Sequence, residues 1–231
     1  VEPSVLFWLC DLGPIPKMWY ETMAAAIYNK KPEEIEDGSQ ERTIGKIANL
    51  SCQYGTGGDG YRKALHKDTG IILTEEEGKR VVATYRRENP RITQFWSELE
   101  TAFRLAIYGQ VSSLCRNRVH FIPLHLVNPG FKGVAIRLPS GSYLYYHQAE
   151  EVTETFNEEA VVLQNGVPVK TIVRKTKKVL RYKADMGGGK IGWKYVYGGK
   201  LCENVVSATA RDIIVPATWQ LENAGFKILG L

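Results

Sequence analysis

Val134-Ala135-Ile136-Arg137-Leu138-Pro139-Ser140-Gly141-Ser142-Tyr143-Leu144-Tyr145-Tyr146 is the stretch that decides the fold class. Two runs of apolar, β-branched and aromatic residues flank Pro-Ser-Gly-Ser, and the whole reads as a β-hairpin with a loop of about four residues. Downstream, a second strand pair is expected from Thr171 to Tyr197 around Met186-Gly187-Gly188-Gly189. A long helix follows from Leu201 to Asn223, with Gly225 just past its end. Pro216 falls inside that helix and removes the bond to the Asp212 carbonyl, which predicts a kink.

Upstream of Val119 the apolar period is helical. Pro3 suits the first turn of a helix through Val5, Leu6, Trp8 and Leu9, which Gly13-Pro14-Ile15-Pro16 breaks. The next helix carries Met23, Ala24, Ile27 and Tyr28 on one face, and the polar segment from Lys30 to Ser39 connects it onward. Helices are expected from about Glu41 to Tyr54 and from Tyr61 to His66. Thr74 followed by Glu77 is a capping box opening a helix to about Glu88. Asn89-Pro90 then supplies an N-cap and a first-turn proline, and Ile92, Phe95, Trp96, Leu99 and Phe103 recur at helical spacing before Gly109. Helices first, then antiparallel hairpins and a closing helix, predict an α+β fold rather than an alternating parallel one.

Composition narrows the class further. Across 231 residues, 44% hydrophobic and 24% charged side chains are ordinary for a globular protein able to bury a core. No stretch approaches the roughly 20 apolar residues that cross a bilayer. A net charge of +5 tolerates a polyanionic partner. Arg174, Lys175, Lys177, Lys178, Arg181 and Lys183 crowd one segment, which is either a solvated strand face or a phosphate contact. Cys10, Cys52, Cys115 and Cys202 form no CxxC pair and the four histidines show no ligand spacing, so reduced thiols are expected and no zinc site. Asn49-Leu50-Ser51 matches a glycosylation sequon, but nothing else in the sequence points to secretion.

Arg42, Lys46, Leu50 and Tyr54 stand four apart. Each such step drifts only ~40° around a helix, so the four share one inclined stripe, cationic at its start and apolar at its end. The basic end suits a triphosphate and the apolar end a base. The competing reading is an ordinary amphipathic helix with Ile44, Ile47 and Ala48 in the core and its basic side solvated. Gly55, Gly57 and Gly60 match GxGxxG, but a dinucleotide loop follows a strand and opens a helix, whereas this one follows a helix.

Arg42-Thr43-Ile44-Gly45-Lys46, continuing to Tyr54-Gly55, resembles motif B of family A DNA polymerases, especially the phage-type branch. Tyr85 to Ile92 with Trp96, Arg137-Leu138-Pro139-Ser140-Gly141, and Tyr197-Gly198-Gly199-Lys200-Leu201 with Glu203-Asn204 and Ala210-Arg211-Asp212 resemble later segments in family order. The resemblance implies the end of palm motif A over residues 1–12, a fingers subdomain over 13–120 and a partial palm over 121–231. It gives Arg42 and Lys46 the catalytic role of contacting the incoming nucleotide's phosphates, Leu50 its base and sugar, and Tyr54 the site of the templating base. Tyr20 matches a position near the triphosphate, although Met18 replaces an Asp usual two residues earlier. Glu2 resembles the residue that excludes a ribose 2′-hydroxyl. Tyr54, Gly55, Lys200, Glu203, Asn204 and Arg211 are the implied DNA contacts, with Ser207 replacing a frequent Gln.

The implied partners are primer-template DNA, deoxynucleoside triphosphates and flanking polymerase segments, in the cytoplasm of an infected or host bacterium and with no membrane. The implied cofactor is Mg2+. The residues resembling its ligands, the motif A Asp and the His-Asp-Glu of motif C, are expected before Val1 and after Leu231, where Phe226 to Leu229 resembles the strand leading into motif C. The isolated chain is accordingly expected not to extend primers, and an interrupted or split gene is the expected origin. The alternatives are a non-catalytic DNA-binding remnant of a polymerase and an unrelated enzyme that binds a dinucleotide on its glycine loop.

Overall fold

A computed structural model describes residues 18–164 and 167–228. The expectations for Glu2, the helix after Pro3, the break at Gly13 to Pro16, Cys10, the segment 1–12 and Leu229 onward lie outside the described residues. Helices α1 (Trp19–Tyr28), α2 (Gln40–Cys52), α3 (Gly58–Thr69), α4 (Glu75–Glu88) and α5 (Pro90–Ile107) come first. A six-stranded antiparallel meander follows: β1 (Ser112–Leu114), β2 (Val119–Pro123), β3 (Gly133–Arg137), β4 (Tyr143–Gln164), β5 (Val167–Asp185) and β6 (Ile191–Val196). A single-turn α6 (Leu124–Val127) joins β2 to β3, and α7 (Gly198–Asn223) closes the described chain. The fold is α+β.

Local chemistry sets the helix ends. Ser39 Oγ accepts the Arg42 amide at 3.1 Å and starts α2. The Thr74–Glu77 capping box forms in both directions: the Glu77 carboxylate accepts the Thr74 amide at 2.8 Å, and Thr74 Oγ1 accepts the Glu77 amide at 3.3 Å. Asn89 departs from expectation. Its side chain donates to the Tyr85 carbonyl at 2.9 Å, so it finishes α4 instead of capping α5, which Pro90 opens. The closing helix begins three residues earlier than expected, at Gly198, and continues through Pro216. Phe226 to Ile228 form no strand, since none of the six strands offers them a hydrogen-bonded neighbour.

The core lies between the sheet and two helices. Phe121, Val134, Ile136 and Tyr146 point from the inner face toward Phe95, Leu99 and Phe103 of α5 and Leu201, Val205 and Val206 of α7. Phe103 and Tyr146 meet edge to face at 5.1 Å, a favoured aromatic geometry. The expected β3–β4 hairpin forms, with Arg137 opposite Tyr143 and Ala135 opposite Tyr145. Its turn is tied to α7: Asp212 accepts hydrogen bonds from the Ser140 and Ser142 hydroxyls and pairs with Arg211 at 3.0 Å.

Although burial opposes it, those hydroxyls and the Arg211 guanidinium hold the Asp212 carboxyl below its usual range. A depressed folded pKa contributes stability above the unfolded value and loses it as pH falls through the folded one. Asp212→Ala is therefore expected to cost about 2 kcal/mol at pH 7. Urea unfolding at pH 7 and pH 3 checks this, and the gap between wild type and variant should shrink at the lower pH.

Beyond the last β5–β6 pair, Leu180 with Val196, β4 and β5 bond only to each other as a ribbon. Residues 152–164 carry it about 40 Å at roughly 3.3 Å per residue. The basic run sits on β5 against an acidic β4, with Arg181 2.7 Å from Glu150 and Lys175 2.7 Å from Glu158. Half of that run, Lys175, Lys178 and Arg181, thus belongs to an ion-paired strand face. Among the described residues no helix is long and apolar enough to cross a membrane. Cys52 and Cys202 are buried free thiols, and Cys115 is half-buried.

Candidate functional site

Helices α1 and α2 touch backbone to backbone because residue 45 is glycine. A Cβ there would stand 2.6 Å from the Tyr20 carbonyl oxygen and 2.7 Å from the Ala24 nitrogen. Asn49 fastens the same crossing by donating to the Trp19 carbonyl at 2.9 Å. It is 1% exposed, which excludes the sequon as a glycosylation site in the folded chain.

This crossing carries the first part of the stripe. The Arg42 guanidinium lies 5.5 Å from the Tyr20 ring centroid and the Lys46 ammonium 5.9 Å from it, both in cation–π range. Arg42 Nε donates to Glu21 at 2.5 Å and is 3.2 Å from Asp37. The Arg42 hydrogen bond holds the Glu21 carboxyl below its ordinary value. Lys46 is exposed and has no acidic group within ion-pair distance among the described residues. The two cations that share a role by spacing therefore differ: Lys46 is available to an anion, whereas Arg42 must first leave Glu21. Glu21 was not legible as a site residue, because no local spacing links it to Arg42. Its replacement by Gln removes the competing carboxylate, so Glu21→Gln is expected to tighten polyphosphate binding by about threefold, measured by calorimetric titration.

Leu50 is 38% exposed one turn further along. Tyr54 follows the end of α2, half-buried, and its hydroxyl is buried without a hydrogen-bond partner. Burial pushes that phenol up. Gly55 then turns the chain at φ +80°.

Here α2, α5 and α7 converge. A Cβ on Gly199 would lie 2.2 Å from the Tyr54 carbonyl oxygen, and one on Gly198 2.2 Å from the Trp96 carbonyl oxygen. The Trp96 indole donates to the Gln53 carbonyl at 3.0 Å, and the Gly198 amide donates to Glu100 at 3.1 Å. Trp96 thus positions the end of α2. A cleft of about 490 Å3 opens at this junction, lined by Gly55, Arg86, Trp96, Glu100, Tyr197 and Gly199.

The structure gathers Tyr20, Arg42 and Lys46 at one end of the stripe and Tyr54, Gly55 and Lys200 at the other. Lys200 pairs with Glu203 at 2.9 Å. Asn204 donates to the buried Tyr146 hydroxyl at 2.9 Å, so its amide has an internal partner. Arg211 stands eleven residues along α7 from Lys200, about 16 Å at 1.5 Å per residue. Gly55 and Gly57 join α2 to α3 and Gly60 lies in the first turn of α3, without the preceding strand that a dinucleotide loop requires. Among the described residues no three His, Cys, Asp or Glu side chains converge to hold a metal ion.

No protein-family model matches the chain. Over 209 residues, 90% of its length, the chain is 32% identical to the DNA polymerase of Bacillus phage SP02, and it spans 28% of that protein. Over nearly its whole length, then, the chain is similar to one part of a phage DNA polymerase.

Proposed function

We propose that this chain is the fingers and partial palm of a family A DNA polymerase, selecting the incoming deoxynucleoside triphosphate opposite a template base. The observation that carries this reading is the stripe itself. An accessible Lys46 and a Glu21-held Arg42 flank Tyr20 at one end, and the Tyr54–Gly55 turn meets α7 at the other, in a chain similar to part of a phage polymerase. Lys46, then Arg42 once released from Glu21, would hold the phosphates. Leu50 would face the base and sugar, and Tyr54 with Gly55 would border the templating base. Lys200, Glu203 and Asn204 at the start of α7, and Arg211 beyond, would lie along the primer-template. Mg2+ would be held by carboxylates of flanking polymerase segments, and the reaction would take place in the bacterial cytoplasm. Ile213, Ile214, Trp219 and Leu221 expose apolar surface on the second half of α7, which suits docking of such segments.

The test is to bind the chain to a labelled primer-template and titrate each of the four deoxynucleoside triphosphates. Tighter binding of the one complementary to the template base is expected. DNA binding that is weakened by salt but blind to every nucleotide would assign the chain as a DNA-binding remnant instead. Dinucleotide binding lost in Gly57→Val would favour the glycine-loop alternative.

A further inference from the structure

The cleft at Gly55 does not end at α5. A second depression of about 350 Å3 adjoins it at the foot of the β4–β5 ribbon, lined by Glu100, Glu154, Lys177, Lys178, Tyr195 and Tyr197. Glu100 and Tyr197 line both, so the two make one furrow from the Tyr54–Gly55 turn to the ribbon. Tyr195 and Tyr197 stand two residues apart on extended backbone, at the end of β6 and just after it, and so project to the same side. They are 53% and 49% exposed.

The charges of the furrow favour a polyanion. Arg86 and Lys177 are exposed and have no acidic group within ion-pair distance among the described residues. The two acids in its walls are already engaged. Glu100 accepts from the Gly198 amide and from Arg104, each at 3.1 Å. Glu154 accepts the Tyr195 hydroxyl at 2.5 Å and lies 3.8 Å from Arg181. Lys178 is 3.6 Å from Glu151, which Arg104 also pairs. Unpaired cations alternating with exposed rings bind a strand whose bases are unstacked; a duplex hides its base faces.

We propose that the furrow is the path of the single-stranded template, running from the templating position at Tyr54–Gly55 over Tyr197 and Tyr195 to Lys177. This rests on the polymerase reading above and adds to it a track on β5 and β6. Fluorescence anisotropy with the full chain tests it, using one duplex that is blunt or carries a 5′ overhang of one or eight nucleotides. The eight-nucleotide overhang should bind about tenfold tighter than the one-nucleotide overhang. Tyr195→Ala and Lys177→Gln should each remove most of that gain while leaving blunt-duplex affinity unchanged. Tyr195→Phe, which keeps the ring and loses only the bond to Glu154, should retain the gain, with thermal melts confirming that each variant folds. No dependence on overhang length, or a gain that both variants keep in full, overturns the path. If the complementary nucleotide is still selected in that case, only the path fails. If the chain binds no DNA of any kind, the polymerase reading fails with it.

Discussion

Lys46→Ala is expected to weaken deoxynucleoside triphosphate binding by about 10- to 100-fold. A hydrogen bond to a charged group is worth about 1.5–3 kcal/mol, and each 1.4 kcal/mol is a factor of ten. The effect should fall mainly on Lys46 because its ammonium already lies over the Tyr20 ring with no carboxylate to displace. Arg42→Ala should cost less, since binding through Arg42 requires breaking its 2.5 Å contact with Glu21. Lys46→Arg keeps the charge and should recover much of the affinity. Calorimetric titration of all three variants orders them. An Arg42 effect equal to or larger than the Lys46 effect would show that the Glu21 pair does not hold Arg42 in solution.

Gly199→Ala should be strongly destabilising for a single methyl, costing about 3 kcal/mol. The added Cβ would stand 2.2 Å from the Tyr54 oxygen, 2.6 Å from its carbonyl carbon and 2.9 Å from the Gly55 Cα, all backbone atoms. A side chain in that position could rotate away. Backbone cannot, so the end of α2 must move off the start of α7. The turn at Tyr54 and Gly55 would shift with it, and loss of template binding should accompany the loss of stability. Gly57→Ala is the control, since a Cβ there meets nothing within 4 Å. Urea midpoints for the two variants measure the difference directly.

Features with both partners close in sequence were legible. The Thr74–Glu77 capping box and the hairpin around Pro139 to Ser142 need no tertiary information, and both form as read. The β1–β2 hairpin was missed because its turn places Cys115, Arg116 and Asn117 at positive φ without a glycine to mark it. The ribbon beyond Val152 was underestimated for a different reason. Alternation between apolar and polar residues marks a strand with one buried face, whereas no side chain of residues 153–158 or 169–178 is buried on either face of the ribbon.

At the site, spacing brought out Arg42, Lys46, Leu50 and Tyr54 but not the acid that holds Arg42, which lies on another helix. Nor could spacing reveal that Asn204 serves Tyr146 across the core, or that Trp96 and two glycines hold the end of α2 against α7.

The most direct test of the central claim is Mg2+-dependent primer extension by this chain joined with upstream and downstream polymerase segments, as co-expressed pieces or one fusion. The account predicts that the chain alone does not extend a primer, that the assembly does, and that Lys46→Ala within the assembly abolishes extension. An assembly that is stably folded, co-purifies and binds primer-template yet never extends it, even as a single fused chain, would contradict the account.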